Sequence, residues 1–427
     1  MLDKIVYAGT TNPSFQQGSA DLLKLAEISV SAKQVERVAK RIGEERVSER
    51  DRDVSAYEAL PLMERKAAPA GVTAPDASKV VVAGCDGGRL QILERGHAVD
   101  AETTTEVAEA DEGRSGKHWR EDKIGLLMMM ESKESASDPC PEIPPNFVDP
   151  TRILKLAREL KTKASAREEA AKESSEPEAG VEAMTNSASG SATNSATSSK
   201  PTWTPPEVIE KRLVGSRVRW PNFGPILAQA AWAWGFFAAP RKAFIADGSD
   251  NNWTIWRQYF SSFEPILDFI HALSYVFASA TAGRPFADGW RIYQEWIAWT
   301  WKGEVARVIE ALRQRQVDLG EPLPDDGETH PRRVVARSLA YLENHQSQMN
   351  YAEYRRRGLP ITSSYVESAV KQFNQRVKGT EKFWSERGAE AMLQLRADHL
   401  SDHSPLDQFW QTRQETQTGQ RPYRMAA

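Results

Sequence analysis

At 427 residues, with 40% hydrophobic and 27% charged side chains, the chain has the make-up of a soluble globular protein with room for two or three domains. Its net charge of -4 argues against a uniformly basic nucleic-acid binder, and no run reaches the ~20 apolar residues of a membrane helix. Met1 to Gln17 lack the basic and apolar regions of a signal peptide, and the two cysteines, Cys85 and Cys140, predict no disulfide, which fits a cytoplasmic protein.

The first unit spans residues 16–54. Ala20 to Glu27 reads as a short helix and Ile28 to Ala32 as a turn. Ser31 is placed to cap a second helix from Ala32 to Glu45, whose apolar stripe is Val35, Val38, Ala39 and Ile42. Lys33, Arg37, Lys40 and Arg41 lie off that stripe, so the pair fits a helix-turn-helix that binds DNA. An Ala- and Pro-rich linker follows, Glu64 to Ala77.

Residues 78–163 predict the first part of an α/β core. Val80 to Cys85 reads as a buried strand, Gly87-Gly88 as a turn and Arg89 to Leu93 as an alternating second strand. Lys123 to Glu131 reads as a third strand, and Asp149 to Lys163 has helical periodicity. Residues 164–204 are Ser- and Ala-rich and predict a disordered insert, because they bury too little apolar area to offset the entropy of ordering.

The core resumes over 205–271. Gly224 to Ala238 reads as an apolar helix, Lys242 to Asp247 as a short buried strand, Asn251 to Phe260 as a helix and Pro265 to His271 as a fifth strand. Residues 272–357 are helical and dense in tryptophan, including Trp290, Trp296, Trp299 and Trp301. Residues 358–402 predict two further helices, Ser364 to Lys378 and Ser385 to Leu400, and 403–427 a tail. From Pro331 onward 15 Lys and Arg stand against 10 Asp and Glu, which leaves room for a phosphate-binding surface.

Three acidic residues occupy unusual settings. Asp86 and Asp247 each end an apolar strand, where a carboxylate is rarely tolerated unless paired or bound to a cation. Glu367 is presented from a helix as a third ligand. Hard ions such as Mg2+ prefer such oxygens, and two ions suit phosphodiester chemistry by activating the attacking oxygen and stabilising the leaving one. Each residue also fits a purely structural role. Asp86-Gly87-Gly88 matches a hairpin turn, Asp247-Gly248-Ser249 a helix-capping loop, and Ser364-Tyr-Val-Glu367 a capping box. Lys371, Asn374 and Lys378 share the helical face of Glu367, either as ion-pair partners or as a strip laid along a DNA backbone.

Gly84-Cys-Asp-Gly-Gly-Arg-Leu-Gln91, His118-Trp-Arg-Glu-Asp-Lys123, Arg357 to Val370, Asn374 to Gly379 and Phe383 to Glu386 resemble the DDE transposases of bacterial insertion sequences, with the ISKra-type the nearest group. The resemblance covers roughly residues 20 to 402. It implies a ribonuclease H-like core with a mixed five-stranded sheet flanked by helices, and an all-helical insertion between the second Asp and the Glu. It also implies Mg2+ as cofactor (two ions, Mn2+ being the substitute), terminal-repeat and target DNA as partners, and a homo-oligomer assembled on DNA.

Carried onto this chain, the catalytic and metal-binding triad is Asp86, Asp247 and Glu367. Asp268-Phe-Ile-His271 matches a short Cys/Asp-x-x-His motif of Mutator-like relatives and implies an accessory role, against the plain reading of a strand-end Asp and a partly buried His. The insertion's tryptophans are open to two readings, core packing or stacking on an unpaired base. The function implied is cleavage at element ends and strand transfer of the 3′-OH into target DNA. The alternatives are a ribonuclease H-like nuclease without strand transfer and a domesticated DNA-binding regulator.

Overall fold

The computed structural model describes residues 1–93, 118–158, 204–379, 381–403 and 405–416. Their centre is a mixed sheet. Strands β1 (Lys79–Ile92), β2 (Trp119–Glu131) and β3 (Glu207–Ser216) pair antiparallel, while β4 (Lys242–Ala246) and β5 (Glu264–Leu267) add in parallel beyond β1. The order is β3-β2-β1-β4-β5, and a two-residue strand β6 (Phe383–Trp384) pairs with the far end of β1. Val80 to Ala83 and Ala243 to Ile245 are fully buried, as strands covered on both faces require.

The Gly87-Gly88 turn does not form. β1 is one strand of 14 residues that runs straight through both glycines. The reason is clearance. A Cβ on Gly87 would lie 2.9 Å from Glu121 Oε1, and one on Gly88 would lie 2.9 Å from both carboxylate oxygens of Asp122. Each glycine therefore makes room for an acidic side chain of β2. β3 has no counterpart among the predicted strands, so the five strands of the sheet arise from a different division of the chain. The predicted fifth strand stops at Leu267, because Asp268 caps a helix instead of continuing the sheet.

Helices cover both faces. Before the sheet come α1 (Leu2–Thr11), α2 (Phe15–Ala26), α3 (Ala32–Ala59) and α4 (Leu62–Lys66). Residues 150–158 form α5, and the rest of the predicted helix, with the low-complexity insert over 164–203, lies outside the described residues. α6 (Trp220–Ala233) and α7 (Asp250–Tyr259) pack on one face of the sheet. α8 (Phe269–Thr281), α9 (Phe286–Trp301), α10 (Val305–Leu319), α11 (Pro331–His345) and α12 (Tyr351–Arg356) follow β5, so the described residues between Asp247 and Glu367 are otherwise helical beyond that strand. α13 (Ser364–Val377) and α14 (Glu386–Leu400) close the other face. α15 (Pro405–Thr416) occupies much of the predicted tail. No helix among the described residues is long and apolar enough to cross a membrane.

The N-terminal helices differ from a free two-helix reader. α3 is 28 residues long, begins at a Ser31 capping box with Gln34, and docks on α14 through a buried Arg46–Asp398 pair of 2.9 Å. A second buried cation joins α1 to α13. Arg376, 2% exposed, donates to the Gly9 carbonyl at 3.0 Å and stands over the rings of Phe15 (4.5 Å) and Trp384 (5.2 Å). In the insertion, Trp296 and Trp301 are buried, and Trp301 stacks with the guanidinium of Arg355 at 3.9 Å. These two rings serve packing. Trp290 and Trp299 are half-buried, with Trp299 under Arg307 at 4.0 Å.

Candidate metal centre

The site begins with strand register. β1 and β4 are neighbours in parallel, and their last registered pair is Gly84 with Ile245. Two residues on stand Asp86, still inside β1, and Asp247, one residue beyond the end of β4. Between Gly84 and Gln91 the β4 side of β1 has neither β4 nor β6 paired to it, and Asp86 lies in that gap. The thiol of Cys85, the buried chain neighbour of Asp86, feels both aspartates. Burial, and then the negative charges of Asp86 and Asp247, push it well up.

α13 comes down on the same stretch. A Cβ on Gly84 would lie 3.1 Å from Val366 Cγ2 and 2.8 Å from the Ile245 carbonyl, so only glycine lets α13 and β4 approach β1 together here. Side chains alternate along a strand, so Asp86 shares the face of Gly84 that meets α13. Glu367 is the residue after Val366. The capping box does not form: the N-cap of α13 is Ser363, whose side chain makes no capping bond, so Glu367 sits one position past the place from which it would reach back.

Asp268 and His271 extend the group. Asp268 is 1% exposed and caps α8 by accepting the His271 amide at 3.0 Å. The same oxygen accepts the imidazole Nδ1 at 2.6 Å, and the other accepts the Ser363 amide at 2.7 Å. His271 is one-fifth exposed. Burial works against its imidazolium, but the Asp268 hydrogen bond and the charges of Asp268, Asp247 and Glu367 prevail and push it up to about 9. It is therefore protonated at neutral pH, facing the negative potential of two of the predicted ligands.

Asp247 partly fulfils its capping-loop reading. Its Oδ1 accepts the Ser249 amide at 3.0 Å and the Asn252 side-chain amide at 2.9 Å, and its carbonyl accepts the Tyr341 hydroxyl at 2.8 Å. Asp86 Oδ1 accepts the Gly87 amide at 2.7 Å. No three His, Cys, Asp or Glu side chains among the described residues stand together as a ready ligand set. Asp86, Asp247 and Glu367 nonetheless offer carboxylate oxygens, the donors that a hard cation takes.

The basic residues divide. On α13, Lys371 is exposed and Asn374 is half-buried; Lys378 is exposed but caps the end of the helix in extended backbone, so it does not continue the helical face of Glu367, and its Nζ stands 5.5 Å from the Trp119 ring. On α3, Lys33, Arg37 and Arg41 are exposed and Lys40 is half-buried. Lys33 and Lys40 both pair with Glu36, at 2.8 and 2.6 Å, which leaves less net charge on that face than the sequence suggests.

Two residues near the predicted ligands carry no sequence signal. Asn252 is a buried amide of α7 in an unremarkable polar run. Asp122 lies within a motif block without standing out. It is fully buried opposite Gly88, neither of its oxygens has a hydrogen-bond partner, and burial pushes it up to about 7. In comparisons with known proteins, no family model matches the chain and no curated protein matches it.

Proposed function

We propose that this chain is a DNA transposase of the DDE kind, with Asp86, Asp247 and Glu367 as the ligands of two Mg2+ ions on a ribonuclease H-like core. One observation carries the reading. Asp86, inside β1, and Asp247, one residue past β4, stand two residues beyond a registered pair of adjacent parallel strands, beneath the helix that bears Glu367. The sheet order supports the fold assignment, with three antiparallel strands, then two parallel ones, and a helical stretch before the last acidic residue.

Bound there, the ions would supply activation of an attacking oxygen and stabilisation of the leaving one at a phosphodiester. The protein's own groups do the rest. Asp268 orients the His271 imidazole and holds it beside Asp247 and Glu367. Lys371, exposed on the helix of Glu367, and Lys378, exposed just past its end, would contact backbone phosphates and fix the register of the DNA. The exposed Lys33, Arg37 and Arg41 of α3 would grip the element end, and two or more copies would pair the ends.

The test uses a duplex carrying the inverted repeats that flank the coding sequence. Mg2+-dependent cleavage at the repeat, and joining of pre-cut ends to plasmid DNA, are expected of the wild type. Cleavage retained in Asp86→Asn would overturn the assignment, and cleavage without joining would favour a nuclease.

A further inference from the structure

Asn252 stands between two strands that contribute to the site. It lies in the first turn of α7, 1% exposed, and its two polar ends face different partners. The Cys85 thiol of β1 donates to Asn252 Oδ1 at 3.2 Å. Asn252 Nδ2 donates to Asp247 Oδ1 at 2.9 Å. We propose that Asn252 is a positioning residue for the metal centre, holding the Asp247 carboxylate in one orientation through a hydrogen-bond chain that starts at Cys85. The proposal rests on the reading of Asp247 as a ligand.

Three features favour this role over simple burial of an amide. The chain has a fixed direction. Cys85 Sγ donates to the amide oxygen and the amide nitrogen donates to the carboxylate, so Asn252 presents its oxygen to Cys85 and its nitrogen to Asp247. The two donors on Asp247, the Ser249 amide and Asn252 Nδ2, act on the same oxygen, so rotating the carboxylate breaks both bonds. Finally, the chain spans β1, α7 and the end of β4, the elements that set the spacing between Asp86 and Asp247. Supporting hydrogen bonds of this kind typically change metal affinity by roughly ten- to a hundred-fold when removed.

Mn2+ binding to the full chain, followed by electron paramagnetic resonance of the free ion, tests the idea alongside thermal unfolding. Asn252→Ala is expected to weaken Mn2+ binding by roughly ten-fold or more. Asp247→Asn is expected to weaken it further. Should Asn252→Ala unfold, the second arm is Cys85→Ser against Cys85→Ala. The serine keeps a donor to Asn252 and is expected to retain more affinity than the alanine. If Asp247→Asn weakens binding while Asn252→Ala binds as the wild type does, the positioning role is overturned and the ligand reading stands. In the arm used if that variant unfolds, equal affinity in the two Cys85 variants overturns the role. If Asp247→Asn binds as the wild type does, or the wild type binds no Mn2+, the ligand reading falls and takes the proposal with it.

Discussion

The carboxylate of Asp268 and the amide of Ser363 are joined at 2.7 Å although 95 residues separate them in the chain. Next to that bond, the Phe269 amide donates to the Ile361 carbonyl at 2.9 Å. The whole helical insertion lies between these two points, and the pair of bonds sews its entry to its exit. Asp268 therefore sets where α13 starts, and with it where Glu367 is held. Asp268→Ala removes three hydrogen bonds from a buried site, and a loss of about 2–4 kcal/mol is expected by chemical denaturation. Metal-dependent cleavage should fall with it.

His271 gives the metal-free protein a pH signature. Its folded pKa is raised above the unfolded value, so the stability it contributes is full below about 6.5 and is lost as pH rises through about 9. The loss amounts to at most about 3 kcal/mol. Denaturation at pH 6 and pH 9.5 should show this difference in the wild type and a much smaller one in His271→Asn. Parallel pH dependence in the two proteins would place the imidazole outside the field of the carboxylates.

Asp122 makes the opposite kind of contribution to net stability at neutral pH. Its folded pKa of about 7 is also raised, so the fold is favoured at low pH and loses stability as pH climbs from the unfolded carboxylate range through 7. Between pH 5 and pH 8 the cost is about 2–3 kcal/mol. Asp122→Asn is expected to be more stable than the wild type at pH 8 and to show a flatter profile. Unfolding curves at the two pH values decide the matter.

The basic strip predicts a salt dependence. If Lys371 and Lys378 each neutralise one phosphate, replacing either with alanine should lower the slope of log affinity against log salt by about one, with little effect on sequence preference. Fluorescence anisotropy across a salt series, on specific and random duplexes, measures both. An unchanged slope would leave these lysines as surface charges.

The sequence makes some of this architecture legible and hides the rest for identifiable reasons. The first half of β1 and the whole of β4 are readable because an unbroken apolar run leading into an aspartate suits a buried strand. Gly87-Gly88 misleads because turn statistics concern φ and ψ, whereas these glycines answer to side chains on a neighbouring strand. β3 escapes because Glu207 to Lys211 are mostly polar and only its last residues enter the core. The motif from Asp268 to His271 is visible, but its element is not: the run Pro265 to Ile270 suits a strand until the cap is seen. Asn252 has no local pattern at all, since its importance lies in what two other elements bring to it. At Glu367 the capping box competes directly with the ligand role, and a shift of one residue in the helix start removes it.

Arg376 gives the N-terminal helices a mechanical bearing on the site. Its guanidinium is held by the Gly9 carbonyl and lies over the Phe15 and Trp384 rings, while its own backbone belongs to the last turn of the helix that carries Glu367. That side chain pins α1 and α2 to one end of the helix whose opposite end carries Glu367.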